Sequence, residues 1–339
     1  MHSASRAPFV SVIIPVHNGA RTLGACLQAL KQTVYETWEL IVVDDGSDDG
    51  SGDMATAQDC RVLTNEGAAR GPAWARNHGA RRAKGDILVF LDADVAVRRD
   101  TVARLVQTLQ RTRAAACFGS YDDAPAAKNF LSQYKNLLHH FVHQTGRREA
   151  NTFWAGCGAV RRDAFWDAGG FHQAYKRPSI EDIELGQRLR ARGYSIVLAP
   201  EIQVTHLKRW DAPGLLRSDI LHRALPWSRL LLRRRELPDD LNLAWRQRGG
   251  AVAAWTLLIA LVCLPLTRRA GPLAGLSLAA LLALNADFYR FLARRRGLGF
   301  LARALPWHWF YFIYSSGAFG LALLGEALPA PVPRRLSRS

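Results

Sequence analysis

Residues 85–95 read GDILVFLDADV, in which five apolar residues, Ile87 to Leu91, run straight into Asp92-Ala93-Asp94. With a side-chain period of two, a strand ending here would point both carboxylates to one side. Two like charges so placed repel unless something positive sits between them. A hard divalent cation with oxygen ligands, itself holding phosphate oxygens, meets that need. A plain turn at a strand end accounts for D-x-D equally well when it stands alone. Neighbouring apolar runs end in the same way. Asn18 follows FVSVIIPV (9–16), and Asp44-Asp45-Gly46-Ser47 closes WELIVVDD (38–45). Asp45 would accept from the N–H of a nucleobase, or serve as the Asp of a D-G turn. Arg76 and Asn77 lie on a helical stretch just ahead of the DAD run. Acidic and amide groups at three strand ends make a polar site at one rim of an apolar sheet.

The elements that must position these groups alternate between two periodicities. Short β-rich runs at 9–16, 38–45, 60–65, 86–92 and 114–120 are separated by helical stretches at 22–33, 72–83 and 101–112. In the last of these, Val102, Leu105, Val106 and Leu109 share one face. Such alternation predicts an α/β fold with a mostly parallel central sheet covered on both sides. Ligands of open sheets lie beyond the carboxyl ends of the strands. Further on, 127–145 reads as a helix, 153–171 as a small-residue loop, 181–192 as a helix closed by Gly193, and 193–206 as a hairpin. The N-terminal run before Pro15 is short for a signal peptide and reads as a strand.

Charge divides the chain of 339 residues: 1–205 hold 25 Lys/Arg against 22 Asp/Glu, whereas 206–339 hold 20 against 7. The basic excess is interleaved with long apolar runs, which argues against a nucleic-acid partner and for anionic lipid headgroups. Residues 211–248 read as an amphipathic interfacial helical segment. Uncharged runs at 249–267, 270–286 and 304–325 approach the roughly 20 residues a membrane span needs. They are edged by Arg268–Arg269 and Arg294–Arg296, with Trp307, Trp309, Tyr311 and Tyr314 at the start of the third. The expectation is a membrane region of about three helices over 249–328. Arg233–Arg235, Arg246, Arg248, Arg294–Arg296 and Arg303 would face the cytoplasm, placing the N-terminal domain there in a multi-pass protein of the plasma membrane. Five scattered cysteines without C-x-x-C spacing fit a reducing compartment. Cys157 reads as a small filler rather than a nucleophile.

In this order the stretches VSVIIPVHNGARTLGACLQAL, ELIVVDDGSDDG, GPAWARNHGARRAKGDILVFLDADV, RRDAFWDAGGF and SIEDIELGQRLRARGY resemble glycosyltransferase family 2, with its GT-A fold, as a membrane-anchored bacterial member. The resemblance covers residues 10 to about 194 and implies a catalytic domain over 1–210. It implies inverting transfer of a sugar from a UDP- or GDP-sugar, with Mg²⁺ or Mn²⁺ as cofactor. It places Pro15, His17 (more often Tyr in relatives), Asn18, Asp45, Arg76, Asn77, Asp92 and Gly156 around the nucleotide-sugar. Asp94, with Asp92 and His206, would hold the metal, and Asp182 would be the catalytic base. A carboxylate near the acceptor hydroxyl is chemically suited to take its proton. Ser179-Ile-Glu-Asp182 is also an S-x-x-D capping box, and the two roles are compatible. Lys208-Arg209-Trp210 echoes only partly the Q-x-x-R-W element of processive polysaccharide synthases, because the Gln is missing. A lipid-linked or membrane-proximal acceptor is expected from the anchor. The rivals are a processive synthase and a non-enzymatic scaffold. A nucleotidylyltransferase would need a Gly-rich phosphate loop after the first strand, and none is present.

Overall fold

The computed structural model describes residues 7–234 and 244–327. Readings that fall on 1–6, on 235–243 of the amphipathic segment including Arg235, and on residue 328 lie outside the described residues. The expected apolar runs and their helices form β1 (Val10–Val16), α1 (Ala20–Leu30), β2 (Trp38–Asp44), the short α2 (Ser51–Thr56), β3 (Arg61–Thr64), α3 (Pro72–Arg82), β4 (Ile87–Leu91), the two-residue β5 (Val95–Ala96), α4 (Thr101–Thr112) and β6 (Ala116–Tyr121). The chain continues through α5 (Phe130–Thr145), β7 (Cys157–Arg161), α6 (Arg162–Asp167), α7 (Glu181–Ala191) and β8 (Ile196–His206).

Both sheet faces are buried, which is why the strands read as continuous apolar runs. Val12, Ile14 and Val89 pack under α1 and α4 with Leu23, Leu27, Leu105 and Leu109. Ile13, Val43 and Phe90 pack on the other face with Phe165, Phe171 and Leu185. The strand order is β3-β2-β1-β4-β7-β6-β8-β5. The first four pair in parallel, but β7 is antiparallel to both β4 and β6, and β5 to β8. β6 and β8 again pair in parallel, so the sheet is mostly parallel as read, but mixed, because β7 and β5 run against the other six strands. The difference lies in 153–171, which is not a loop but carries β7 and α6. Its glycines allow close packing: a Cβ on Gly158 would sit 2.4 Å from the Trp154 carbonyl oxygen and 2.5 Å from the Phe153 ring.

The expected hairpin at 193–206 is one strand, β8. It pairs with β6 in two registers, Phe118 opposite Leu198 and then Ser120 opposite Gln203. Pro200 falls in the bulged stretch between them, where a missing N–H costs no ladder bond. Gly193, at φ +82°, ends the preceding helix as read.

Beyond β8 come α8 (Ala212–Arg217), a π-helical segment (Ser218–Ala224), α9 (Leu225–Arg234), α10 (Trp245–Cys263), α11 (Ala270–Leu284), α12 (Ala286–Arg296) and α13 (Leu298–Ala327). Helices thus occupy the three uncharged runs that were expected to form a membrane region of about three helices. Among the described residues no single helix is long and apolar enough to cross a membrane. α10 opens on Arg246 and Arg248, and α11 has 15 residues, roughly 22 Å against a hydrocarbon core of roughly 30 Å. α11 and α12 together meet the length and composition of a span but are bent by 65°. α12 packs on α5 through Tyr134, Leu137, Leu138, Phe288, Tyr289 and Leu292. Two of the three arginines that close α12 turn to the sheet-bearing part of the chain: Arg296 donates to Gln133 Oε1 at 2.8 Å, and Arg295 pairs with Asp123 at 3.0 Å. They are docking residues for α12 on this part of the chain.

Candidate active site

The ends of β1 and β2 are stitched together first. The Asp45 N–H donates to the Val16 carbonyl at 2.8 Å, and His17 Nδ1 lies 3.0 Å from the Asp45 carbonyl. Asn18 sits in the left-handed region at φ 53°, where its Oδ1 accepts from the Asp48 N–H at 2.9 Å. Pro15 is half-buried in β1 opposite Val43. The Asp45 carboxylate is buried and accepts from Asn65 Nδ2 (2.9 Å), from the Arg70 N–H (2.9 Å) and from the Gly71 N–H (2.6 Å). In this state it organises the loop that launches α3. Gly46, at φ +74°, makes the D-G turn as well. A nucleobase would reach Asp45 by taking the place of one of these donors.

Arg76 is the central clamp. It is buried, donating from Nη2 to Asp92 at 2.7 Å and from Nη1 to Glu181 at 2.8 Å, with its guanidinium 5.4 Å from the Phe171 ring centroid. One side chain therefore ties the end of β4 to the start of α7. Asn77 does not reach the site. Its amide nitrogen donates to the Phe171 carbonyl (2.7 Å) and its oxygen accepts from the Phe171 N–H (2.9 Å), so it fixes the Gly169-Gly170-Phe171 turn instead. Both ends of the amide expected among the nucleotide-sugar contacts are therefore engaged within the protein.

Asp92-Ala93-Asp94 lies in a turn after β4, where strand alternation no longer applies. The two carboxylates do not share one environment. Burial raises the pKa of Asp92; Arg76 opposes this and Asp94 reinforces it, leaving Asp92 above the usual carboxylate value. Burial also acts on Asp94, but His206, Lys208 and Arg223 outweigh it and hold Asp94 below the usual value. The β5–β8 pairing, Val95 opposite His206, brings His206 beside Asp94. His206 Nε2 lies 3.8 Å from Asp94 Oδ2, beyond hydrogen-bond reach, and its ring stacks on Tyr121 at 4.2 Å.

Among the described residues no three His, Cys, Asp or Glu side chains converge into a ready metal cage. Yet Asp94 Oδ1 is buried with no hydrogen-bond partner, a costly arrangement for a carboxylate oxygen. Magnesium-like cations are held by one or two carboxylates, with phosphates and water completing the shell. Asp94, with His206 beside it, fits that donor set. Asp92 already gives one oxygen to Arg76.

Asp182 stands in the first turn of α7. Its Oδ2 accepts from the Ala155 N–H (3.1 Å) and its Oδ1 from the Ile183 N–H (2.8 Å). Burial and the neighbouring Glu181 charge push its pKa up to about 6, against the pull of Arg76 and the two N–H groups. The capping box does not form: Ser179 Oγ donates to the His222 carbonyl at 2.5 Å, and Ile180 occupies the N-cap position without a side-chain cap. α7 is held close to the 152–153 backbone because Gly186 has no side chain; a Cβ there would lie 2.3 Å from the Phe153 nitrogen.

Gly156 has a different cause from the one expected. A Cβ would sit 2.5 Å from the Trp154 ring, so the glycine makes room for that indole. Cys157 is fully buried in β7, and burial pushes its thiol up to about 12, as a filler would show. Trp210 is buried; its backbone N–H donates to Ser132 Oγ at 2.7 Å, and Lys208 lies over its ring at 4.2 Å. Glu181, Tyr121, Trp154 and Arg223 were not singled out from the sequence. Only Glu181, next to Asp182, carried a readable signal.

Residues 11–169 match the family model described as Glycosyl transferase family 2. The chain is 30% identical over 217 residues to Glycosyltransferase AglE of Haloferax volcanii, covering 60% of this chain and 69% of that protein. It is 27% identical over 254 residues to Validoxylamine A glucosyltransferase of Streptomyces hygroscopicus subsp. jinggangensis, covering 62% of this chain but only 58% of that relative. Its fold is similar to that of mannosyltransferase PcManGT from Pyrobaculum calidifontis, solved in complex with GDP-Man and Mn²⁺. The TM-score is 0.61 at 21% identity, over 95% of this chain and 89% of that one.

Proposed function

The chain belongs to glycosyltransferase family 2 and is a glycosyltransferase with the GT-A fold, and on that basis we propose that it moves a sugar from a nucleotide-sugar, with inversion, to a hydroxyl or phosphate acceptor at a membrane surface. The observation that carries this reading is the Arg76 clamp, which joins the Asp92–Asp94 turn to the helix bearing Asp182. A donor diphosphate at the turn would then present its sugar toward a carboxylate on the facing element.

With a pKa of about 6, Asp182 is ionised at neutral pH and competent to accept a proton. As the acceptor oxygen attacks the anomeric carbon, its proton passes to Asp182. The new C–O bond forms on the face opposite the bond to the diphosphate, which breaks with its electron pair leaving on the nucleotide. Arg76 keeps Asp92 and Glu181 in place rather than contacting the sugar itself. Mg²⁺ or Mn²⁺ held by Asp94 beside His206 would neutralise charge gathering on the leaving diphosphate; the similar mannosyltransferase holds GDP-Man and Mn²⁺. Product analysis by NMR tests the stereochemistry: the transferred sugar is expected to carry the anomeric configuration opposite to the donor's, and retention would contradict the assignment.

The membrane part of the proposal is supported by apolar side chains left exposed on α10, α11 and the turn between them, among them Val252, Ile259, Val262, Leu266 and Leu276. An exposed patch of this kind marks an interaction surface, and the Arg side chains beside it suit anionic headgroups. The free cysteines support the cytoplasmic leaflet of the plasma membrane. The double variant Ile259→Asp, Val262→Asp is expected to abolish flotation with phosphatidylglycerol vesicles while nucleotide binding persists. Unchanged flotation would contradict a membrane role for this face.

A further inference from the structure

The Arg-rich run after residue 211 does more than cover apolar surface. Its first part folds over the active site as the π-helical segment Ser218–Ala224, a rare geometry found mostly at functional positions. The segment is pinned at two places. Buried Asp219 accepts from Lys135 Nζ of α5 at 2.6 and 2.8 Å and from the Tyr314 hydroxyl of α13 at 2.8 Å. At the other end the His222 carbonyl accepts from Ser179 Oγ, in the turn that leads into Asp182. The next residue, Arg223, is exposed; Asp219 is the charge that acts on it most, followed by Tyr121, Asp182 and Asp92, and Arg223 in turn helps hold Asp94 below its usual value.

Asp219 already has the Lys135 ammonium on both oxygens, so it does not need Arg223 for neutrality. Arg76 cannot serve an incoming anion, because both its terminal nitrogens are committed to carboxylates. Arg76 is thus committed among the carboxylates, while Lys208, which lies over the Trp210 ring, and the exposed Arg223 are the other cations that act on Asp94. An anion entering between Asp94 and Asp182 would be repelled without such a counter-charge. A guanidinium fork suits the oxygens of a phosphate in particular.

We propose that Arg223, carried on the π-helical segment and positioned by Asp219, binds a phosphate group lying between Asp94 and Asp182. The inference rests on the nucleotide-sugar reading above. The phosphate has two possible sources: the donor diphosphate or a phosphate-bearing acceptor. The second has a chemical consequence. A phosphate oxygen is already deprotonated at neutral pH, so Asp182 would then not be needed as proton acceptor.

The full chain in detergent micelles, with Arg223→Gln and Arg223→Lys variants, tests this. Calorimetric titration with GDP and UDP in the presence of Mn²⁺ reads the donor arm. Titration with farnesyl phosphate, against farnesol, reads the acceptor arm. Arg223→Gln is expected to weaken one or both phosphate ligands by about tenfold or more, the loss of a charged hydrogen bond, leaving farnesol unchanged. The arm that falls identifies the source, and Arg223→Lys should recover part of the loss. Tyr314→Phe, which loosens Asp219 without removing charge, should shift the same arm by a smaller factor. Wild-type affinity for every phosphate ligand in Arg223→Gln, or an equal loss for farnesol, overturns the inference while the functional reading stands. A wild-type protein that binds neither nucleotide nor farnesyl phosphate overturns both.

Discussion

Asp182→Asn is expected to lower the transfer rate to a hydroxyl acceptor by about 10²–10⁴-fold, the contribution of a positioned general base. The asparagine keeps the shape and one acceptor oxygen, so the hydrogen bonds from Ala155 and Ile183 are partly preserved and the fold should survive. Donor affinity should change little, because the proposed role of Asp182 is toward the acceptor and the donor diphosphate is assigned to the Asp92–Asp94 turn. The pH profile sharpens the test. In the wild-type protein the base is active when ionised, so kcat should climb as pH rises through about 6 and flatten above it. The variant should lack that acid limb. Steady-state kinetics between pH 5 and 8 on roughly half-unit steps would show it. A variant retaining both the rate and the limb would remove Asp182 from the chemistry.

The second large effect falls on stability. Arg76→Met removes the shared counter-charge of Asp92 and Glu181 and leaves Glu181 buried beside Asp182. Breaking such a buried pair from one side costs about 3 kcal/mol, near the lower end of the usual range because Asp92 keeps some solvent. Protonation of the stranded carboxylates relieves the penalty. The deficit should therefore be greatest at neutral pH and shrink as pH falls through the carboxylate range. Urea unfolding at pH 7 and pH 4.5 reads both the size and the trend; equal deficits would mean that packing against Phe171, not charge, is what Arg76 supplies. Activity should fall with it, since β4 and α7 lose their tie.

The sequence made the first half of the fold legible because both faces of the sheet are buried and each run is bounded by turn residues. Residues 101–112 show this most clearly: the apolar face of Val102, Leu105, Val106 and Leu109 became the buried face of α4. The second half was harder for identifiable reasons. β7 was hidden because Gly156 and Gly158 make it look like a loop, although they are there to accommodate Trp154 and Phe153. Pro200 imitated a hairpin while sitting in a bulge.

The site was legible as a set of neighbours: Asp94 and His206 come within 3.8 Å, and Arg76 joins Asp92 to the start of the helix that carries Asp182. It was not legible where the role depends on who is opposite. Asn77 looks the same in sequence whether it faces a ligand or closes a turn with Phe171. Asp92 and Asp94 read as a pair, but one answers to Arg76 and the other to His206. Arg223 belonged to a run of arginines that composition assigns to a membrane surface, and only the pins at Asp219 and His222 set it apart. The apolar C-terminal runs were correctly helical, yet hydropathy alone did not show the 65° break at Asn285 or the docking of Arg295 and Arg296 onto the catalytic domain.

Nucleotide release from a panel of UDP- and GDP-sugars is the most direct measurement of the central claim. It would be made with the full chain in nanodiscs containing bacterial lipid extract, with Mn²⁺ or Mg²⁺ and with chelator, beside Asp182→Asn. The account predicts release from one donor class that requires the divalent ion and the lipid extract and is nearly lost in the variant. Release that is indifferent to chelator and to Asp182, or no release from any donor, would contradict it.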